Sequence, residues 1–153
     1  MARRLRFGFV TILLLVAAAT IPAQSNEQID TILEEEVATV GSAAYVALSA
    51  AGLVNDDSPA SRAVEITVEA GWLPEGTAPD EPVTFGRFAY LLMEATEVSG
   101  GLMYRMIPGP RYAAREFVYR EWSPERRAPG EEISGQFLIR VTGNFLDNAE
   151  VTP

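Results

Sequence analysis

Residues 63–95, AVEITVEAGWLPEGTAPDEPVTFGRFAYLLMEA, return fifty positions later without a gap. Gly71-Trp72-Leu73-Pro74 stands over Glu121-Trp122-Ser123-Pro124, Ala78-Pro79 over Ala128-Pro129, and Val83-Thr84 over Ile133-Ser134. Both tryptophans of the chain align. Shifted by forty-five positions the other way, Thr84, Gly86, Ala89 and Tyr90 fall on Thr39, Gly41, Ala44 and Tyr45, a third and partial copy. A period of this size marks a repeated supersecondary unit, in which each copy needs its neighbours to bury its apolar face. That requirement excludes independent beads on a string and predicts one body built from copies.

The content of the copies predicts helices. Thr39 caps a helix whose narrow stripe is Ala43, Val46, Ala47 and Ala50, stopping at Gly52. Thr84 caps another, with Phe88, Leu91, Leu92 and Ala95 at i, i+3, i+4 and i+7, and Ser134 caps the counterpart with Leu138, Val141 and Phe145. A helix over residues 61–70 is expected to turn Val64, Ile66 and Val68 inward and to stop at Gly71. The first helix, over residues 26–36, starts at the capping-box pair Ser25 and Gln28 and ends in Glu34, Glu35 and Glu36, read as a solvated face. Residues 55–61 form a polar turn, and residues 73–82, with three prolines, form an ordered loop.

Ahead of these units, residues 1–6 carry three arginines and no acid, residues 7–19 are almost wholly apolar, and a proline and small residues follow to Ala23. This three-part pattern predicts a signal segment over residues 1–23. Without it, nine arginines face 21 acids, a net charge of −12, with no lysine. This balance argues against nucleic acid as a partner, because phosphate contacts need a basic surface. The charge is lopsided, since residues 24–99 hold 14 acids and two arginines whereas residues 100–153 hold seven of each. Absence of cysteine means that packing alone stabilises the domain, and absence of histidine with it removes the commonest general bases, nucleophiles and soft metal ligands. The acid pairs Asp56-Asp57, Asp80-Glu81 and Glu131-Glu132 are explained by turns and helix starts. No catalytic centre, metal site or cofactor is expected.

Helix, Gly-Trp, acidic proline-containing loop, then a hydrophobic residue and Thr or Ser capping a second helix: this order resembles the S-layer homology module of bacterial cell-envelope proteins. The resemblance rests on residues 63–74 with 82–93, and on 113–124 with 132–142, while residues 37–53 look like the second helix of a preceding copy. It implies an all-α, compact domain over residues 24–146: a partial repeat at 26–54 and complete helix-loop-helix repeats at 61–98 and 111–146 around a pseudo-threefold axis, before a flexible tail at 147–153. In that family the second helix opens with a Thr-Arg-x-Glu type signature whose arginine helps to bind a negatively charged wall polysaccharide. Here the arginine position holds Val40, Phe85 and Gly135, and the acidic position Ser42, Arg87 and Phe137.

Two non-catalytic functions are therefore expected of an exported envelope protein. One is a structural or adaptor domain for another envelope protein; the alternative is non-covalent binding of a wall polysaccharide. Residues 100–110, GGLMYRMIPGP, hold Leu102, Met103, Tyr104 and Met106, read as filling the junction between repeats, with a partner-binding surface as the alternative. Arg111 and Arg115 lie four apart on the following helix, read as a solvated or salt-bridged face, with anion binding as the alternative. The candidate contacts are Trp72, Arg87, Met103, Tyr104, Arg105, Arg111, Arg115 and Trp122.

Overall fold

The structure of the chain, a computed structural model, describes residues 23–149. The expected signal falls outside these residues apart from Ala23, as do residues 150–153 of the expected tail. Among the described residues there are seven helices and no named strand: α1 (Ala23–Glu34), α2 (Val40–Ala50), α3 (Ala60–Glu69), α4 (Phe85–Ala95), α5 (Leu102–Met106), α6 (Pro110–Tyr119) and α7 (Gly135–Asn148). They pack into one compact all-helical body. The helix expected at 26–36 begins earlier and ends at Glu34, and α7 extends to Asn148, two residues into the expected tail.

Three helices start alike. Thr39, Thr84 and Ser134 each stand in extended backbone, and each side chain accepts a hydrogen bond from the amide three residues on, at Ser42, Arg87 and Phe137. The first amide of each helix is met by a carbonyl from elsewhere: Val40 N–H donates to Glu81 (2.8 Å), Phe85 to Glu131 (2.8 Å) and Gly135 to Glu35 (3.0 Å). These bonds satisfy donors that a helix cannot satisfy itself. Just before the caps the chain closes a ring of backbone hydrogen bonds. Val83 donates to Ala38 (2.9 Å), Ala38 to Ile133 (2.7 Å) and Ile133 to Val83 (3.4 Å), all three residues being buried.

Around that ring α3 and α4 pack on α2, α6 packs on α4, and α7 meets both α1 and α2. The core is aliphatic on the α2 side and aromatic on the α7 side. There Phe117 stacks on Phe145 with centroids 5.2 Å apart, and Phe85 meets the edges of Phe117 and Phe137 at 6.2 and 6.0 Å. Such pairs add about 0.5–1.5 kcal/mol each beyond the area they bury.

The two Trp-bearing turns share a backbone path. After α3, Gly71 takes φ +78° and Trp72 N–H bonds to Thr67 O; after α6, Glu121 takes φ +58° and Trp122 N–H bonds to Phe117 O. The left-handed turn is thus kept where glycine has been replaced, at a steric cost to Glu121.

Three expectations are corrected. Of Val64, Ile66 and Val68 only Val64 is fully buried, with Ala63 and Thr67 beside it; Ile66 and Val68 are half-buried at the two margins of that face, packed against the core. Glu35 is not solvated: its carboxylate accepts from Thr39 N–H (3.2 Å) and the Ser42 hydroxyl (2.6 Å), reinforcing the start of α2. Leu102, Met103 and Met106 do not fill a junction, since all three are exposed and only Tyr104 turns inward.

Candidate functional site

Among the described residues, two grooves and a set of uncompensated charges are open to contact. One groove of about 430 Å³ runs between the end of α4 and α5, lined among others by Trp72, Glu94, Glu97, Tyr104, Arg105 and Pro108. It brings together three of the expected contacts, Trp72, Tyr104 and Arg105. Trp72 is half-buried there, held by the left-handed turn at Gly71. Its floor is built: the Tyr104 hydroxyl donates to the Glu94 carboxylate (2.6 Å), and the Tyr104 ring lies 6.3 Å from that of Tyr90. Burial, aided by the Glu94 carboxylate, pushes the Tyr104 phenol far above its ordinary value, so it stays a donor.

A second groove of about 370 Å³ lies between α6 and the loop that follows it, lined among others by Arg115, Val118, Tyr119, Arg126, Arg127 and Pro129. Arg127 is engaged with Glu125 and Glu131 and lies over the Phe137 ring at 4.6 Å. Arg115 and Arg126 have no ion-pair partner among the described residues. Nor do Arg105 and Arg111, so four uncompensated arginines fall between positions 105 and 126. Arg111 is exposed on α6, one turn before Arg115.

No protein-family model, curated protein or solved structure matches the chain.

The remaining expected contacts stand apart. Met103 projects from α5 into solvent. Arg87 pairs with Glu81 at 3.4 Å, in a loop where the Glu81 carboxylate also accepts from Ala78 N–H (3.0 Å); that amide first, and Arg87 after it, hold the Glu81 carboxyl below its usual range. Trp122 must be withdrawn as a contact. It is 3% exposed, locked edge-on against Phe117 and Phe145, and Arg120 covers its ring at 4.9 Å. The repeat aligned the two tryptophans correctly, but the second has the aromatic cluster beside it and sinks into it.

Sequence reasoning missed Glu94, Glu97, Tyr119 and Arg126, which sit on different elements and share no pattern. It also missed the common role of Glu35, Glu81 and Glu131. Each supplies the carbonyl for a helix start, and each folds its carboxylate onto a nearby amide: Thr39, Ala78 and Ala128. Register could have found the last two, because Glu81 and Glu131 are separated by the same fifty residues as the tryptophans.

Proposed function

We propose that the chain is a non-catalytic exported protein of the bacterial cell envelope, a divergent S-layer-homology-like domain that acts as a structural or adaptor module for another envelope protein. Its copies are arranged around a pseudo-threefold axis, one partial and two complete. The closed ring of hydrogen bonds through Ala38, Val83 and Ile133 supports that arrangement, as does the cyclic pairing of α3 with α2, α6 with α4 and α1 with α7.

The observation that carries the function is burial at the position of the family's wall-binding arginine. Val40 and Phe85 have no exposed surface and Gly135 is buried, so that position is spent on the core in all three copies. A polymer site built there would have to face a hydrophobic interior. The groove at Trp72 and Arg105, with one aromatic wall and charges of both signs, suits a protein segment better than a polyanion. Its test is capture from an envelope extract by the chain from Gln24 onward, with cross-linking to identify the partner. Retention of one protein, lost in Trp72→Ala with Glu97→Arg, is expected; a chain that captures nothing refutes the adaptor role.

A second reading, binding of an anionic wall polysaccharide, is favoured by the groove that holds unpaired Arg115 and Arg126 beside Tyr119. Under it, reversal of Arg111 and Arg115 to glutamate abolishes retention on wall material, and unchanged retention removes it.

A further inference from the structure

The strongest unexplained feature is the tip formed by α5. Among the described residues, eight large hydrophobic side chains are exposed, and four of them, Leu102, Met103, Met106 and Ile107, lie within six consecutive positions. Leu102, Met103 and Met106 share one face of the short helix at i, i+1 and i+4, and Ile107 follows at its end. Leu102 is 72% exposed and Met106 67%. None of the four lines either groove described above, so the surface projects rather than receives.

The tip is also firmly held. Tyr104, on the opposite face, is pinned by Glu94. The helix is preceded by two glycines at close approaches: a Cβ on Gly100 would lie 2.6 Å from Tyr104, and one on Gly101 would lie 2.8 Å from the Glu116 carboxylate. Glu116 is in turn bonded to Arg120 at 3.1 Å. Backbone and core thus cooperate to hold four apolar side chains in water, where they contribute nothing to folding.

The charge around the tip indicates its occupant. Residues 98–115 contain three arginines, Arg105, Arg111 and Arg115, and no acid, and all three are exposed and unpaired among the described residues. Residues 24–99, by contrast, hold 14 acids and two arginines. Of the acids beside the tip, Glu94 is bonded by Tyr104 and Glu116 by Arg120, which leaves Glu97. An apolar tip with an excess of free arginines on α5 and α6 complements an anionic phospholipid surface, where the side chains enter the acyl boundary and the arginines meet phosphates. A protein receptor would instead need a pocket shaped for four flexible side chains. We propose that Leu102, Met103, Met106 and Ile107 form a membrane-docking tip for an anionic leaflet, with Arg105 and Arg111 as its headgroup contacts. The inference rests on the exported reading of the chain but not on the adaptor role.

The test is flotation of the chain from Gln24 onward with vesicles of phosphatidylcholine alone, and of phosphatidylcholine mixed equally with phosphatidylglycerol, at low and moderate salt. Salt-sensitive flotation on the anionic vesicles alone is expected. Met103→Asp with Met106→Asp should weaken it by about tenfold or more, and Arg105→Glu with Arg111→Glu by roughly the same factor. Both pairs lie on the surface, and unchanged far-ultraviolet circular dichroism checks their folding. Wild-type protein that stays with the unbound fraction, or tip variants that float undiminished, overturns the proposal. Capture of an envelope protein through the tip without vesicle binding also overturns it, while leaving the adaptor reading intact.

Discussion

Helix α7 contains two glycines for which the same substitution should have opposite signs. Gly143 lies in the exposed interior of the helix, and a Cβ there meets nothing within 4 Å. Alanine at that position limits the unfolded chain without cost to the fold, and should stabilise by about 0.5–1 kcal/mol. Gly135 is the first residue of α7, and a Cβ there would run into the Ile32 carbonyl oxygen, a backbone atom that cannot swing aside. Either α1 or α7 must therefore withdraw. Withdrawal strains the overpacked contact, at about 1–3 kcal/mol, and weakens the 3.0 Å bond from Gly135 N–H to Glu35, at about 1 kcal/mol. Gly135→Ala should therefore destabilise by roughly 2–4 kcal/mol. Urea unfolding of the two variants, followed by circular dichroism, measures both. If Gly135→Ala were as stable as wild type, α1 would not dock on α7 and the ring would be open at that seam.

Glu121→Gly should stabilise by about 1 kcal/mol, since it removes the Cβ penalty at φ +58° that Gly71 avoids in the matching turn; a neutral or negative change in urea midpoint contradicts the shared backbone path. Tyr104 gives the domain an alkaline limit. Its folded phenol titrates above the ordinary value of about 10, so its stabilisation is complete below that pH and is lost as pH rises beyond it. Tyr90 is raised by burial in the same direction, so Tyr104→Phe should make the fall in urea midpoint above about pH 10 shallower without abolishing it. An unchanged slope would mean that Tyr104 is not held in its buried place against Glu94 in solution. Phe85→Arg, which puts an arginine where the S-layer homology module carries one, places a charge at a site with no exposure and should cost more than about 4 kcal/mol. A folded Phe85→Arg protein would show that this position can face solvent.

Caps and apolar periodicity were legible because they are local. Thr39, Thr84 and Ser134 cap where expected, and Phe88, Leu91, Leu92, Leu138, Val141 and Phe145 are all buried. What could not be read depends on neighbours distant in sequence. Trp72 and Trp122 occupy one place in the repeat, yet only the second has Phe145 5.0 Å away to draw it inward. Large apolar residues at 102–107 suggested filling, but the close packing of Gly100 and Gly101 decides which way α5 faces. Glu35 looked like one acid in a run of three, and its role depends on α7, a hundred residues later, needing a carbonyl for its first amide.

Under the proposed adaptor reading, burial of Val40, Phe85 and Gly135, which stand where the S-layer homology module carries its arginine, leaves no wall-polymer site. The most direct test is co-sedimentation of the chain from Gln24 onward with purified wall sacculi, before and after chemical removal of their attached polymers, at low and moderate salt. Protein left in the supernatant under every condition is expected. Salt-sensitive pelleting that disappears with the polymers would contradict that reading and place wall binding in the groove of Arg115 and Arg126.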